Sequence, residues 1–291
     1  MSLELKLSPR KFIITAEIAP FKGTDITEII ESAKILKGRI DAANVTDQQS
    51  SVMRLGSLAT CHILKEQGLE PIYQMTCRDR NRIAIQSDLL SAWVLGIENV
   101  LALTGDLPQL GDHPEAKPVY DLDSVGLLEA INGLNKGHDM SGNELKGKTN
   151  FYVGAVVKPI SDTEASYELQ LSKLKKKVAA GAKFIQTQAV YDMGRFETFM
   201  KAASKLGVPI FAGIVPLKSA NMARYMNKNV SGIDVPDTLI KKMEEAQDKE
   251  KMGIEIAASL IRKARKLCDG VHIMAIGWEK KVPQILDVAG F

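Results

Sequence analysis

Short apolar runs rich in β-branched residues recur along the chain, separated by longer stretches whose apolar positions return every three or four residues. The runs are Phe12–Pro20, Ala42–Asp47, Pro71–Cys77, Asn99–Asp106, Phe151–Pro159, Lys183–Asp192, Pro209–Pro216 and Val271–Trp278. A nearly continuous apolar run of this length fits a strand covered on both faces, as in a parallel sheet. The stretches between them predict helices. After Ser161, for example, Tyr167, Leu171, Leu174 and Val178 fall on one helical face. Asp25 with Glu28, and Ser161 with Glu164, have the spacing of a capping box, in which side chains satisfy the free amides of a helix start. Gly68, Gly96, Gly181 and Gly207 stand where helices must stop, the usual place for a left-handed residue. Eight such units predict an α/β fold, a (β/α)8 TIM barrel, as one domain over residues 1–291. A doubly wound open sheet is the alternative, because periodicity alone does not separate the two.

Composition narrows the class of protein. The 291 residues are 45% hydrophobic and 25% charged, with a formal charge of +3. These values suit a soluble globular protein and give no reason to expect nucleic acid or an anionic membrane. Cys61, Cys77 and Cys268 are far apart and form no CxxC pair or Cys/His cluster, which argues against zinc or iron–sulfur centres. This usage fits a reducing compartment, and a cytoplasmic location is the expectation. Met1 to Arg10 alternates charged and apolar residues and lacks a signal-peptide apolar core. No run of 18 apolar residues predicts a membrane span. Asn135–Asn150 is polar and glycine-containing, the best candidate for a mobile surface loop. Lys241–Glu255 mixes both charge signs, as a solvated helical face does. The Lys173–Lys177 cluster suits either a phosphate contact or a solvated helix end.

One motif fails on its context. Gly142 to Thr149 matches the phosphate-loop pattern GxxxxGK[ST] in full. Such a loop needs a strand before it and a helix after it, so that the helix amino terminus faces the phosphates. Here a helix precedes and the run from Phe151 follows. Nucleotide hydrolysis is therefore not predicted. No GxGxxG follows the first run either, so a Rossmann dinucleotide site is unsupported.

In an α/β barrel the chemistry sits where the strands finish. Those positions hold Glu17, Thr46-Asp47-Gln48, Gln74 and Thr76, Thr104-Gly105-Asp106, Lys158, Gln186 and Gln188, and Tyr191-Asp192. Glu17 lies inside an apolar strand, where an unpaired carboxylate is costly; it is a candidate acid or a salt-bridged structural group. Asp106 follows a glycine that permits close backbone approach to a ligand, or it caps a turn. Gln186 and Gln188 share one strand face and suit either heterocycle recognition or a polar layer inside the barrel. His62 is placed in a helix, His113 and His138 in loops, and His272 at the bottom of the eighth strand. None is placed as a catalytic base, so hydrolase triads are not expected.

Taken in order, these strand ends resemble the methylenetetrahydrofolate reductase family. The segments are Thr15-Ala16-Glu17-Ile18-Ala19-Pro20, Asn44-Val45-Thr46, Met75-Thr76-Cys77, Leu101 to Pro108, Leu174 to Ala182, Gln186-Thr187-Gln188 and Gly213-Ile214-Val215-Pro216. The resemblance implies a flavin-containing barrel, with FAD favoured over FMN, that reduces 5,10-methylenetetrahydrofolate to 5-methyltetrahydrofolate. It implies that Glu17 is the general acid at N10 and that Asp106 tunes the flavin and orients the pterin. It implies that Gln188 binds the pterin, and that Thr46, Gln74, Thr104, Gly105, Asp106, Lys158 and Lys177 lie at flavin-contacting positions. NAD(P)H or an electron-donating partner subunit, and an oligomeric state, are further implications.

The chain also departs from the family pattern. Asp47-Gln48 stands where an aromatic–glycine pair is common, and Gly277-Trp278 replaces an asparagine–arginine pair. Gln74 and Thr104 stand where histidine and arginine occur, Lys158 where histidine is common, and Gln170 where aspartate occurs. Two other readings stand beside the reductase: a pterin-binding methyltransferase barrel without flavin, and a flavin-holding subunit that depends on a partner for electrons.

Overall fold

The computed structural model describes residues 3, 11–161, 163–230 and 232–291, and each of the eight apolar runs holds a strand. They are β1 (Ile13–Ile18), β2 (Ala42–Val45), β3 (Pro71–Thr76), β4 (Asn99–Leu103), β5 (Tyr152–Val157), β6 (Phe184–Ala189), β7 (Ile210–Ile214) and β8 (Gly270–Ile273). Each strand pairs in parallel with the next, and β8 pairs back with β1 to close a barrel. Closure leaves no unpaired sheet edge. It decides between the two architectures left open by periodicity: the chain is a (β/α)8 barrel.

Helices cover the outside of the strands, which explains why the strand residues are almost all buried. Leu174 is buried, and Tyr167, Leu171 and Val178 pack against the core beside it. The four helix-ending glycines have φ between +71° and +112°. The two expected capping boxes do not form. The helix Thr27–Leu36 begins after Asp25, whose Oδ1 instead accepts from the Thr27 amide (2.9 Å) and hydroxyl (2.6 Å) in a local turn. The helix Glu164–Ala179 is capped by Thr163, which accepts from the Ser166 amide, while the Ser161 carbonyl is taken by Arg195. The mixed-charge stretch Lys241–Glu255 spans two helices, Asp237–Glu245 and Lys249–Ala264, with Asp248 capping the second. The reading of Met1–Arg10 lies outside the described residues, apart from Leu3.

The loop resembling a phosphate cradle joins the helix Ser124–Lys136 to β5, at the strand's amino end. Asn135 ties its exit: Oδ1 accepts from Thr149 Oγ1 (2.6 Å) and the Phe151 amide (2.8 Å), and Nδ2 donates to the Phe151 carbonyl. No helix begins there, so its amides do not converge on a phosphate.

The barrel interior is layered. At the amino ends of the strands an apolar floor joins Leu3, Ile13, Ala42, Ile72, Leu101, Tyr152, Phe184 and Phe211. The Phe184 ring stacks between Tyr152 and Phe211, with centroids 5.4 and 5.6 Å away. Gly154 makes room for it, since a Cβ there would lie 2.3 Å from the ring. Above the floor lies a buried polar layer of Thr15, Asn44, Gln186 and His272. Above that the strand ends open to solvent. No described helix is long and apolar enough to cross a membrane.

Candidate active site

The carboxyl ends of the strands surround a cavity of about 300 Å³. Its wall contains Glu17 from β1, Thr46 after β2, Gln74 from β3, Thr104, Gly105 and Asp106 after β4, and Gln188 from β6. Seven of the nine residues to which the family resemblance gives a role thus meet in one place. Lys158 and Lys177 are not in the wall. Lys158 lies just past the end of β5, and its stem packs on Gly232. Lys177 reaches inward from its helix and donates to the Val156 carbonyl at 2.8 Å, behind a residue that does line the cavity. Burial, with Lys173 adding to it, holds the Lys177 ammonium below its ordinary pKa. Of the two readings of the lysine cluster, a solvated helix end does not describe Lys177.

Glu17 is 8% exposed and points into the cavity. Its neighbour corrects the sequence reading of the histidines. His272 is not at the bottom of the barrel. β8 begins at Gly270, and His272 pairs in register with Thr15, two residues below Glu17. Its Nε2 lies 3.4 Å from Glu17 Oε1, and its Nδ1 lies 3.0 Å from Thr15 Oγ1. The sequence signal was parity: Gly270, His272 and Met274 alternate, and the last two line the cavity.

Gln186 and Gln188 both face inward but differ in role. Gln186 is 1% exposed and bonded to Asn44 and Thr15, so it belongs to the polar layer. Gln188 stands one step nearer the mouth, beyond a register shift in β6. At that shift Gly213 lets the strands approach, since a Cβ there would lie 2.3 Å from the Thr187 carbonyl oxygen.

The loop after β2 is folded into the wall. The Asp47 carboxylate has no exposed side-chain surface; it accepts from the Thr76 amide and hydroxyl, both at 2.9 Å, and from Arg80 at 2.7 Å. Burial opposes the Arg80 charge, but Asp47 and Asp88 outweigh it and raise its pKa further above the guanidinium range. Asp47 is therefore a bracket for Thr76 and Arg80. The next residues, Gln48, Ser50 and Ser51, all have positive φ, a strained stretch for side-chain-bearing residues. Ser51 Oγ donates to the Asp106 carbonyl, and Tyr120 donates to the same oxygen at 2.9 Å. These bonds fix the Asp106 backbone and leave its carboxylate at the exposed rim. Thr104 is also at the rim, with its hydroxyl accepting from the Ser124 amide.

Arg78 escaped the sequence reading. It continues the inward parity of Gln74 and Thr76, and it brings a guanidinium only 3% exposed to the cavity wall. Asp79 and Ser51 hold it there.

The wall suits a flat, polar-edged cofactor. Thr46 Oγ1 is buried without a hydrogen-bond partner among the described residues, a donor and acceptor left for a ligand. Gly105 has φ +93°, a conformation that favours glycine, and a Cβ there would press on Thr76 and Arg78 at about 3 Å. Gln74 and Gln188 add amides able to match the edge of a heterocycle.

Comparison with known proteins gives this geometry a family. The model described as "Methylenetetrahydrofolate reductase" matches residues 3–290. The "Probable methylenetetrahydrofolate reductase (NADPH)" of Caenorhabditis elegans is 26% identical over 262 residues, 86% of this chain and 36% of that protein. The "5,10-methylenetetrahydrofolate reductase" of Salmonella typhimurium is 27% identical over 207 residues, 69% of this chain and 63% of its own length. The Pectobacterium carotovorum enzyme of the same name is 25% identical over 259 residues, 86% of this chain and 80% of that protein. The chain thus spans little more than a third of the worm protein and under two thirds of the Salmonella one. Among solved structures, an uncharacterized Clostridium thermocellum protein that binds two copies of 5-methyl-5,6,7,8-tetrahydrofolic acid matches with a TM-score of 0.66. That match covers 99% of this chain and 97% of that one, at 17% identity, and so speaks for the fold. With all but the ends of the sequence inside the family model, this chain belongs to the methylenetetrahydrofolate reductase family.

Proposed function

We propose that the chain reduces 5,10-methylenetetrahydrofolate to 5-methyltetrahydrofolate with a bound flavin, FAD rather than FMN, in the cytoplasm. The observation that carries this reading is the meeting, in one cavity, of a buried carboxyl (Glu17), a partnerless hydroxyl (Thr46) and a free-standing amide (Gln188). The folate-binding Clostridium thermocellum protein supports it as a like fold with a like ligand.

The flavin, when bound, supplies the hydride that ends on the methylene carbon. Thr46, Gln74, Thr104, Gly105 and Asp106 would hold it. Everything else falls to the chain's own groups. Glu17 gives a proton to N10 of the folate, which opens the five-membered ring and leaves an electrophilic iminium at N5. His272 remains hydrogen-bonded to the carboxylate that Glu17 becomes. Gln188 binds the pterin and sets its face toward the hydride source, so that orientation lowers the barrier. Asp106 places a negative charge at the rim of the same cavity.

Electrons come from NAD(P)H or from a partner subunit within an oligomer. One observation favours the partner: Met53, Leu107 and Leu110 stand 52%, 56% and 71% exposed on the loops around the mouth. Apolar residues gathered at a rim suit a protein contact.

The test begins with colour. Purified protein carries or takes up flavin, its absorbance bleaches with a reductant, and methylenetetrahydrofolate restores it. Protein that takes up no flavin refutes the proposal. Comparing NADH, NADPH and an artificial donor on the isolated chain then separates self-sufficient from partner-dependent reduction.

A further inference from the structure

We infer that Gln186 and Asn44 act through Thr15 as positioning residues that hold His272 with its proton on Nε2, aimed at Glu17. This rests on the role proposed above for Glu17. The two amides form a reciprocal pair: Asn44 Nδ2 donates to Gln186 Oε1 at 2.9 Å, and Gln186 Nε2 donates to Asn44 Oδ1 at 3.0 Å. The second Gln186 N–H points at Thr15 Oγ1, 3.3 Å away. Thr15 therefore receives a hydrogen bond and has its own proton to give. Two acceptors are in reach, the Val271 carbonyl at 3.4 Å and His272 Nδ1 at 3.0 Å. The nearer imidazole nitrogen takes it. With Nδ1 accepting, the ring proton of neutral His272 sits on Nε2, since the bond made by one nitrogen fixes the state of the other. Nε2 then donates to Glu17 Oε1.

The consequence is chemical. With Oε1 occupied by a donor, the acidic proton of Glu17 is confined to Oε2 and remains available for the folate. Once it has gone, the same N–H stabilises the carboxylate left behind. In the opposite tautomer a bare Nε2 would accept that proton and withhold it from substrate. The network is not a supply line from solvent: Thr15 and Asn44 are fully buried, Gln186 is 1% exposed, and the apolar floor lies beneath them. Its members fix direction and do not refill the acid.

The test uses the full chain with 15N-labelled imidazoles, in which only four histidines give signals. His272→Gln identifies the signal of interest. Wild type shows Nε2–H. Thr15→Val, nearly isosteric, and Gln186→Leu each give a mixture of tautomers; Thr15→Ser keeps Nε2–H. In the flavin-loaded protein, the folate-dependent reoxidation rate falls about tenfold in the first two variants and recovers in Thr15→Ser. That is part of the roughly 10²–10⁴-fold that a general acid contributes. Nδ1–H in wild type overturns the inference, as does an unaltered tautomer in both deletion variants. A shifted tautomer with an unchanged reoxidation rate removes the positioning role. The tautomer is read without flavin or folate, so failure of the proposed reaction itself appears separately, as a wild type inactive with folate.

Discussion

The floor and the mouth of the barrel are made by the same eight strands, a few residues apart, yet they obey opposite rules. On β1, Ile13 is in the apolar floor, Thr15 in the polar layer and Glu17 at the cavity. On β6 the same ascent runs Phe184, Gln186, Gln188. Floor side chains are held by packing, with the Tyr152 hydroxyl alone reaching out to a backbone carbonyl, that of Lys183. Those of the polar layer are held by directed bonds, with partners for the amides of Asn44 and Gln186. At the mouth the pairing becomes incomplete, as at Thr46 Oγ1. A stable fold tolerates an unpaired buried group where a ligand completes it. The lesson is that stability and chemistry are separated by height along the barrel axis, with the polar layer joining them.

The sharpest way to break this comparison is at Glu17. Glu17→Gln leaves the floor untouched, so thermal stability stays close to wild type. Folate reduction falls by about 10²–10⁴-fold, while reduction of the flavin by its donor changes far less. Stopped-flow measurement of the two half-reactions decides; equal loss in both would remove Glu17 from the acid role. The mirror experiment is Phe184→Ala. Removing a ring stacked on two others costs about 3–5 kcal/mol of stability by transfer and cavity terms, measured by urea denaturation. Protein that remains folded should keep its flavin affinity. A large loss of binding at equal folding would show that floor and mouth are coupled.

Two smaller changes sharpen the boundary at the rim. Asp106→Asn removes a negative charge at nearly constant volume. The bound flavin should then be easier to reduce, with a potential higher by about 30 mV, equivalent to roughly 1.4 kcal/mol. A redox titration showing an unchanged or lower potential would leave Asp106 as a turn residue. Thr46→Val deletes the partnerless hydroxyl. Flavin binding should weaken by up to about tenfold, the scale of one hydrogen bond, while the flavin-free protein melts at the same temperature or higher. A fall in the melting temperature would mean that the hydroxyl already serves the fold.

The sequence reveals the floor and outer layers more readily than the polar layer. Eight buried strands leave eight apolar runs, and the glycines ending helices sit at positive φ for a local reason. Both signals are short-range. Glu17, Asp106 and Gln188 are legible because polar groups at strand ends break an apolar pattern. His272 is not, because its height depends on the register between β8 and β1, a pairing between opposite ends of the chain. Asp47 misleads for a related reason: its partners, Thr76 and Arg80, come from the next unit. Lys158 follows β5 at the expected point in the sequence, but its stem lies against Gly232 and it is not in the cavity wall. The capping boxes fail because a local turn claims the Asp25 carboxylate and because the second helix starts later than expected, capped by Thr163 in place of Ser161.

The closed floor has a consequence for traffic. Leu3 and the stacked rings plug one end of the barrel, so among the described residues this cavity is a room that opens at the strand ends. Whatever enters must leave by the way it came, and two visitors that need the same inner wall must queue. In the reaction proposed above, an electron donor and a folate sharing such a room would take alternate turns, and the first would have to be gone before the second could sit down. A shape this simple therefore sets the order of events before any particular side chain has its say.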